Sequence, residues 1–237
     1  MPLSSLPSLF LDDPAETART GLRFLHFIGL AAGLGSATLL DLLLLRFFLQ
    51  GQVSAERVAI FEFASKVVDA GLKLLWLTGF GFLLHYALTD PVKLENPKVH
   101  AKLLVVAVLT LNGLFIHAVI LPHLRRQAGR PLFEGMGHKQ RTLFAASGAV
   151  SAVSWYLPVA LAAFPQLNFT LPAAQILTCY LLLIALMTAV AAAVAGLLSK
   201  RAGLQAGQAA GRAEAQAGWQ AEGRGPADLA PVSRKSP

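Results

Sequence analysis

LRFLHFIGLAAGLGSATLLDLLLLRFF, residues 22–48, is an apolar run that carries His26 near one end and Asp41 and Arg46 toward the other. A helix rises about 1.5 Å per residue, so a run of this length spans a hydrocarbon core about 30 Å thick. A charge in hydrocarbon is costly and normally faces a bundle interior, a partner or a water-filled path. The stretch therefore predicts a membrane helix with a polar side, and the rest of the chain repeats the pattern.

Four further apolar stretches follow, and the helices are expected at about 22–49, 67–88, 100–121, 142–164 and 173–198. The predicted fold is all-α: an integral membrane bundle of five transmembrane helices. The composition agrees, with 55% of the 237 residues hydrophobic and only 14% charged, against about 25% charged in a soluble domain. Residues 1–21 read as a short acidic leader outside the membrane. Asp12, Asp13 and Glu16 replace the basic run of a secretory signal, so the first span is expected to stay as an anchor. Residues 55–66, AERVAIFEFASK, mix apolar and charged positions as an interfacial helix does; Ser54 is placed to cap it and it is expected to run on into the second span. A turn is expected at 50–53. Pro122 is expected to stop the third helix and Pro158 to kink the fourth. Residues 199–237, rich in Gly, Ala, Gln and Pro, read as a disordered tail.

The net charge of +7 does not point to nucleic acid, because the basic residues cluster beside the spans. Fourteen of the 20 Lys and Arg residues fall on the face that holds Arg46, Arg57, Arg125, Arg126 and the tail, and five on the other. Basic loops stay inside. The expected setting is a bacterial inner membrane, with the N-terminus outside and the C-terminus cytoplasmic. The single cysteine, Cys179, cannot form an internal disulfide and reads as packing. No Walker loop, GxSxG elbow or HExxH motif is present.

Depth sorts the buried polar residues into two layers. Near the outer face lie His26, His85 and His100, one on each of the first three helices. Neutral imidazole ligates haem iron, copper and zinc, and facing helices commonly hold such groups. His26, Gly29, Gly33 and Ala37 share one helical face, which lets a neighbouring helix approach or leaves room for a flat macrocycle. Toward the inner face lie Asp41, Asp69, Lys73, Asn112 and His117. Asp69 and Lys73 are four apart and can pair. Lys73 is the expected partner of Asp41. Asn112 and His117, five apart, are about 140° apart around a regular helix and cannot share one spot. This layer reads either as an interhelical clamp of Asp41, Lys73 and Asn112 or as a proton or ion relay. Ser147, Ser151 and Ser154 form a narrow polar stripe on the fourth helix, and no chemistry is expected on the fifth.

Leu25-His26 with Gly29 and Gly33, and the run His100-Ala101-Lys102-Leu103, resemble helices 1 and 3 of a superfamily of small bacterial membrane bundles. It includes the HemJ-type protoporphyrinogen oxidases and the CopD-type copper-resistance membrane domains. The resemblance covers residues 22–121 and implies a bundle of four or five helices. It also implies His26 as a haem or metal ligand and Lys102 as a partner for a haem propionate or substrate carboxylate. Where HemJ-type helices carry a second histidine deep in helix 3, this chain has Asn112-Gly113.

Three functions follow as expectations. The first is binding of b-type haem, or alternatively copper, by His26 with His85 or His100, for electron transfer or oxidation of a lipid-soluble substrate. The second is transport or ion handling through the Asp41–Lys73 pair. The third is a structural or assembly role without cofactor. The expected partners are the lipid bilayer, a redox or assembly protein and a second copy of the chain.

Overall fold

The computed structural model describes residues 13–50, 54–129 and 135–221, and among them every regular element is helical. The helices are α1 (Pro14–Gln50), α2 (Ala55–Thr89), α3 (Pro97–Phe115), α4 (Leu121–Arg126), α5 (His138–Ala163) and α6 (Ala173–Ala221). A π-helical stretch, Ile116–Ile120, joins α3 to α4. Five segments are long and apolar enough to cross a membrane: Pro14–Arg46, Ala55–Thr89, Pro97–Arg126, Lys139–Ala163 and Ala173–Val194. The chain is a multi-pass membrane protein. By internal contacts it divides into Met1–Ala192, which holds the bundle, and Ala193–Pro237.

Local chemistry sets the helix ends. α1 begins at Pro14 rather than at 22, because Asp13 caps it: the Oδ1 atom accepts from the Glu16 N–H at 3.0 Å. Proline at the first helical position lacks only an N–H that would be unpaired anyway. The first twelve residues of the expected leader lie outside the described residues. Ser54 caps α2, its hydroxyl accepting from the Arg57 N–H at 3.3 Å, and 55–89 is one continuous helix. Of the turn expected at 50–53, residues 51–53 lie outside the described residues. Asn96 Oδ1 accepts from the Lys98 N–H at 3.0 Å and opens α3.

Pro122 does not stop the third span. Proline has no N–H and its ring presses on the carbonyl four residues back. The chain answers by widening one turn, so that the Leu121 N–H reaches back five residues to the Ile116 carbonyl. Helical structure then resumes through Arg126. α5 passes through Pro158 without interruption. The tail expected to be disordered from 199 is helical as far as Ala221; Ala, Leu, Gln, Arg and Glu are strong helix formers and outweigh the interspersed glycines. Residues 222–237 lie outside the described residues.

The α1–α2 hairpin is the most extensive helix pair. Its contact is set by glycine. A Cβ on Gly71 would stand 2.6 Å from the Gly33 nitrogen and 2.8 Å from the Gly29 carbonyl oxygen. Gly71 therefore sits between Gly29 and Gly33, backbone against backbone. On the other side of Gly33 the ring of Trp155, from α5, fills the space a Cβ would need. Apolar clusters extend the core in both directions. Leu40, Phe61, Ile120, Leu124 and Phe144 pack at the basic end, Ala37, Leu72, Leu109 and Trp155 in the middle, and Ala101, Leu161 and Ile176 at the far end.

Gly71→Ala is expected to force α1 and α2 apart and to destabilise the bundle by about 1–3 kcal/mol, the range for overpacking a tight contact. Reversible unfolding in detergent–lipid mixtures measures the change, with Gly79→Ala as control, since a Cβ there meets open space.

Candidate functional site

The glycine contact fixes depth. Gly71 lies level with the middle of Gly29–Gly33, and the two helices run antiparallel. Asp41 is ten residues from that level, about 15 Å along the axis. Lys73 lies two residues from it in the opposite direction. The expected Asp41–Lys73 pair therefore does not form. Lys73 Nζ instead donates to Asp69 Oδ2 at 2.6 Å, one turn away on its own helix. Asn112 belongs to neither group. Its Nδ2 donates to the Ser147 carbonyl at 3.1 Å and its Oδ1 accepts from the Ser147 hydroxyl at 2.9 Å, a two-point tie between α3 and α5. The clamp expected of Asp41, Lys73 and Asn112 is replaced by three separate arrangements.

Asp41 faces a cavity. Its walls come from α1 (Ala37, Asp41), α2 (Phe61, Ser65), the π stretch (Ile116, His117) and α5 (Ser147, Ser151), among others, and it offers water about 50 Å³. That is room for a few water molecules, since one needs about 10–15 Å³ on this measure. Among the described residues, the half-buried Asp41 carboxylate has no hydrogen-bond or ion-pair partner, and neither has the buried Ser151 hydroxyl. The π stretch also alters the backbone hydrogen bonding of His117, a residue of the same lining. The Leu121 N–H is given to Ile116 and Pro122 has none, so the His117 carbonyl lacks both its i+4 and its i+5 helical donor. Backbone left unpaired at membrane depth is tolerated where it lines a water-filled cavity. His117 lines the cavity whose wall holds Ser147, the partner of Asn112, although regular α-helical spacing separates them.

The cavity is braced at the basic end. The Ser65 hydroxyl donates to the Glu62 carbonyl at 2.8 Å, and Glu62 Oε1 accepts from Arg125 Nε at 2.6 Å. This ion pair ties α2 to α4, the helix that follows the π stretch.

The outer layer is dispersed. His26 Nδ1 lies 2.7 Å from Thr78 Oγ1. The Thr78 hydroxyl donates to the Leu74 carbonyl at 2.7 Å, so its oxygen accepts the proton of His26 Nδ1 and leaves Nε2 with a lone pair. The ring meets Phe82 edge-on at 5.6 Å. His85 is seven residues beyond Thr78 on α2, the same face but about 10 Å further along, where it lies edge-on to Tyr86. His100 is exposed. It stands two residues, or 200°, from Lys102 on α3; Lys102 is half-buried and lies within electrostatic reach of His26. Among the described residues, no three His, Cys, Asp or Glu side chains gather as a metal site. The three imidazoles were expected on one level, but His85 is set apart from His26 by depth and His100 by its rotation on α3. The Gly33 face that offered room for a macrocycle is filled by Trp155.

Several side chains that tie the helices together carry little signal in the sequence. Thr78 is 1% exposed, and its only signal was a hydroxyl within an apolar run. Trp76 Nε1 donates to Thr110 Oγ1 at 2.9 Å, and Tyr180 on α6 shares a 2.8 Å hydrogen bond with Ser154. The π stretch had a signal in Pro122, which follows an apolar run that does not end.

A double-mutant cycle on Asn112→Ala and Ser147→Ala is expected to give a coupling of about 0.6 kcal/mol and at most ~1.7 kcal/mol, as for hydrogen bonds between membrane helices. A cycle of Asn112→Ala with Asp41→Asn is expected to show none. No family model matches this chain, and the comparisons with curated proteins and with solved structures found no match.

Proposed function

We propose that this chain is an ion-handling membrane protein that takes up a proton or a small cation at Asp41. The observation that carries the reading is the Asp41 carboxylate, without a partner among the described residues, in a cavity that Ser151 and His117 also line. An unpaired carboxylate at membrane depth needs a proton, a cation or water. The Ser151 hydroxyl, on the same wall, stands ready to hydrate whatever binds. A π turn beside such a cavity fits the frequent use of these turns at functional sites. With the basic loops inside, the cavity lies in the cytoplasmic half of a bacterial inner membrane.

The test is flux in vesicles containing the purified chain. Imposed proton and alkali-cation gradients are expected to decay faster than in empty vesicles, and Asp41→Asn, which keeps the shape and removes the charge, to slow the decay at least tenfold. No movement of any ion, or equal movement with Asp41→Asn, overturns the reading.

A second reading rests on His26. Its Nε2 lone pair is the form that ligates metal, and the bond from Nδ1 to Thr78 is the kind of support that orients a ligating histidine. Haem of the b type, or copper, would take His26 and supply one-electron chemistry, with Lys102 beside it for a carboxylate. The residues fit such a group only in part, because Trp155 occupies the Gly33 face, and no step is derived through it. Protein expressed with ample haem and copper is expected to carry either a Soret band lost in His26→Ala or stoichiometric copper lost in the same variant. A colourless, metal-free protein rules this reading out.

A further inference from the structure

The Asp69–Lys73 pair faces the wrong way for a single chain in lipid. Trp76, three residues beyond Lys73, bonds to Thr110 in the middle of the Pro97–Arg126 span. Lys73 is therefore about 5 Å from that level along α2, near the centre of the bilayer and out of reach of either headgroup layer. Yet its side chain is 75% exposed and that of Asp69 46% exposed. Ionised side chains at this depth face protein or water, not acyl chains.

The pair does not stand alone on that face. Ala70, Lys73, Leu77, Phe80 and Leu84 are all exposed, and their spacing of three, four, three and four is that of a helix–helix seam. Nothing else in the chain covers this seam among the described residues. Leucine and phenylalanine gain little by leaving lipid for protein, so polar groups supply the drive for association in a membrane.

We propose that this face of α2 is the interface between two copies of the chain, closed at its centre by the Asp69–Lys73 pairs of both. A two-fold axis along the membrane normal keeps both copies in the same orientation and brings α2 against α2 at equal depth. Such an interface must be complementary to itself, and this one is, since each copy offers an acid and a base one turn apart. Lys73 of each copy then lies between two carboxylates, and each Asp69 between two ammonium groups. The four charges alternate and sum to zero, and the acyl chains meet none of them. A partner of another sequence would have to supply the same acid and base at the same depth.

The experiment uses the full chain in lipid bilayers, with Cys179→Ser to remove the one native thiol. Single-molecule bleaching is expected to count two copies per particle. Leu77→Cys is expected to form a disulfide between copies, and Leu104→Cys, exposed on α3, is expected not to. Lys73→Met is expected to raise the dimer dissociation constant at least tenfold; the cross-links, made with the ion pair intact, decide the matter even where that variant misfolds. A monomer, a dimer cross-linked through Leu104→Cys instead, or a stoichiometric second protein on α2 overturns the proposal.

Discussion

Gly71 sits between Gly29 and Gly33 with no side chain on either helix to hold the backbones apart, and the remaining arrangement of the bundle depends on that contact. It sets the register of the antiparallel pair α1 and α2. Register then decides which polar residues meet. His26 comes level with Thr78. Asp41 comes level with Phe61 and Ser65 and opens on the cavity. Lys73 is carried away from Asp41 and left to pair along its own helix. Trp155 locks the arrangement by filling the remaining space over Gly33, so that α5 is fitted to the hairpin by shape. Between helices in lipid, close packing of this kind replaces the hydrophobic drive that water would provide.

A second constraint acts on the backbone. Every N–H and C=O group in the hydrocarbon must find a partner, and a proline within a span removes one. At Pro122 the chain does not break; it widens a turn. The consequence is chemical as well as geometric. The His117 carbonyl loses its regular helical donors, and His117 is among the residues that line the Asp41 cavity. At Pro158 the helix continues without such a turn.

The polar side chains of the spans divide into three kinds. Asn112 with Ser147, Trp76 with Thr110, and Ser154 with Tyr180 satisfy one another and tie helices together. Asp41 has no partner among the described residues and marks the cavity. Asp69 and Lys73 satisfy one another but turn outward. Hydrogen bonds of the first kind each contribute only modestly in membranes, so the bundle rests chiefly on packing, and the second and third kinds are the ones free to serve a function.

Composition and hydropathy by themselves determined the five spans and the all-α fold, because helix length and apolar content follow directly from the thickness of hydrocarbon. Cap positions such as Ser54 were also legible, since capping depends only on neighbours in sequence. So was the pairing of Asp69 with Lys73 along one face. What the chain alone did not fix was rotation and register. Three histidines looked like a cluster, but register sets His85 about 10 Å beyond the level of His26, and each helix turns by about 100° per residue, so place in the sequence fixed neither their common level nor their direction. Asp41 and Lys73 looked like partners until one glycine contact set them at least 15 Å apart along the axis. Those relations belong to the tertiary structure, because they depend on how one helix fits the surface of another.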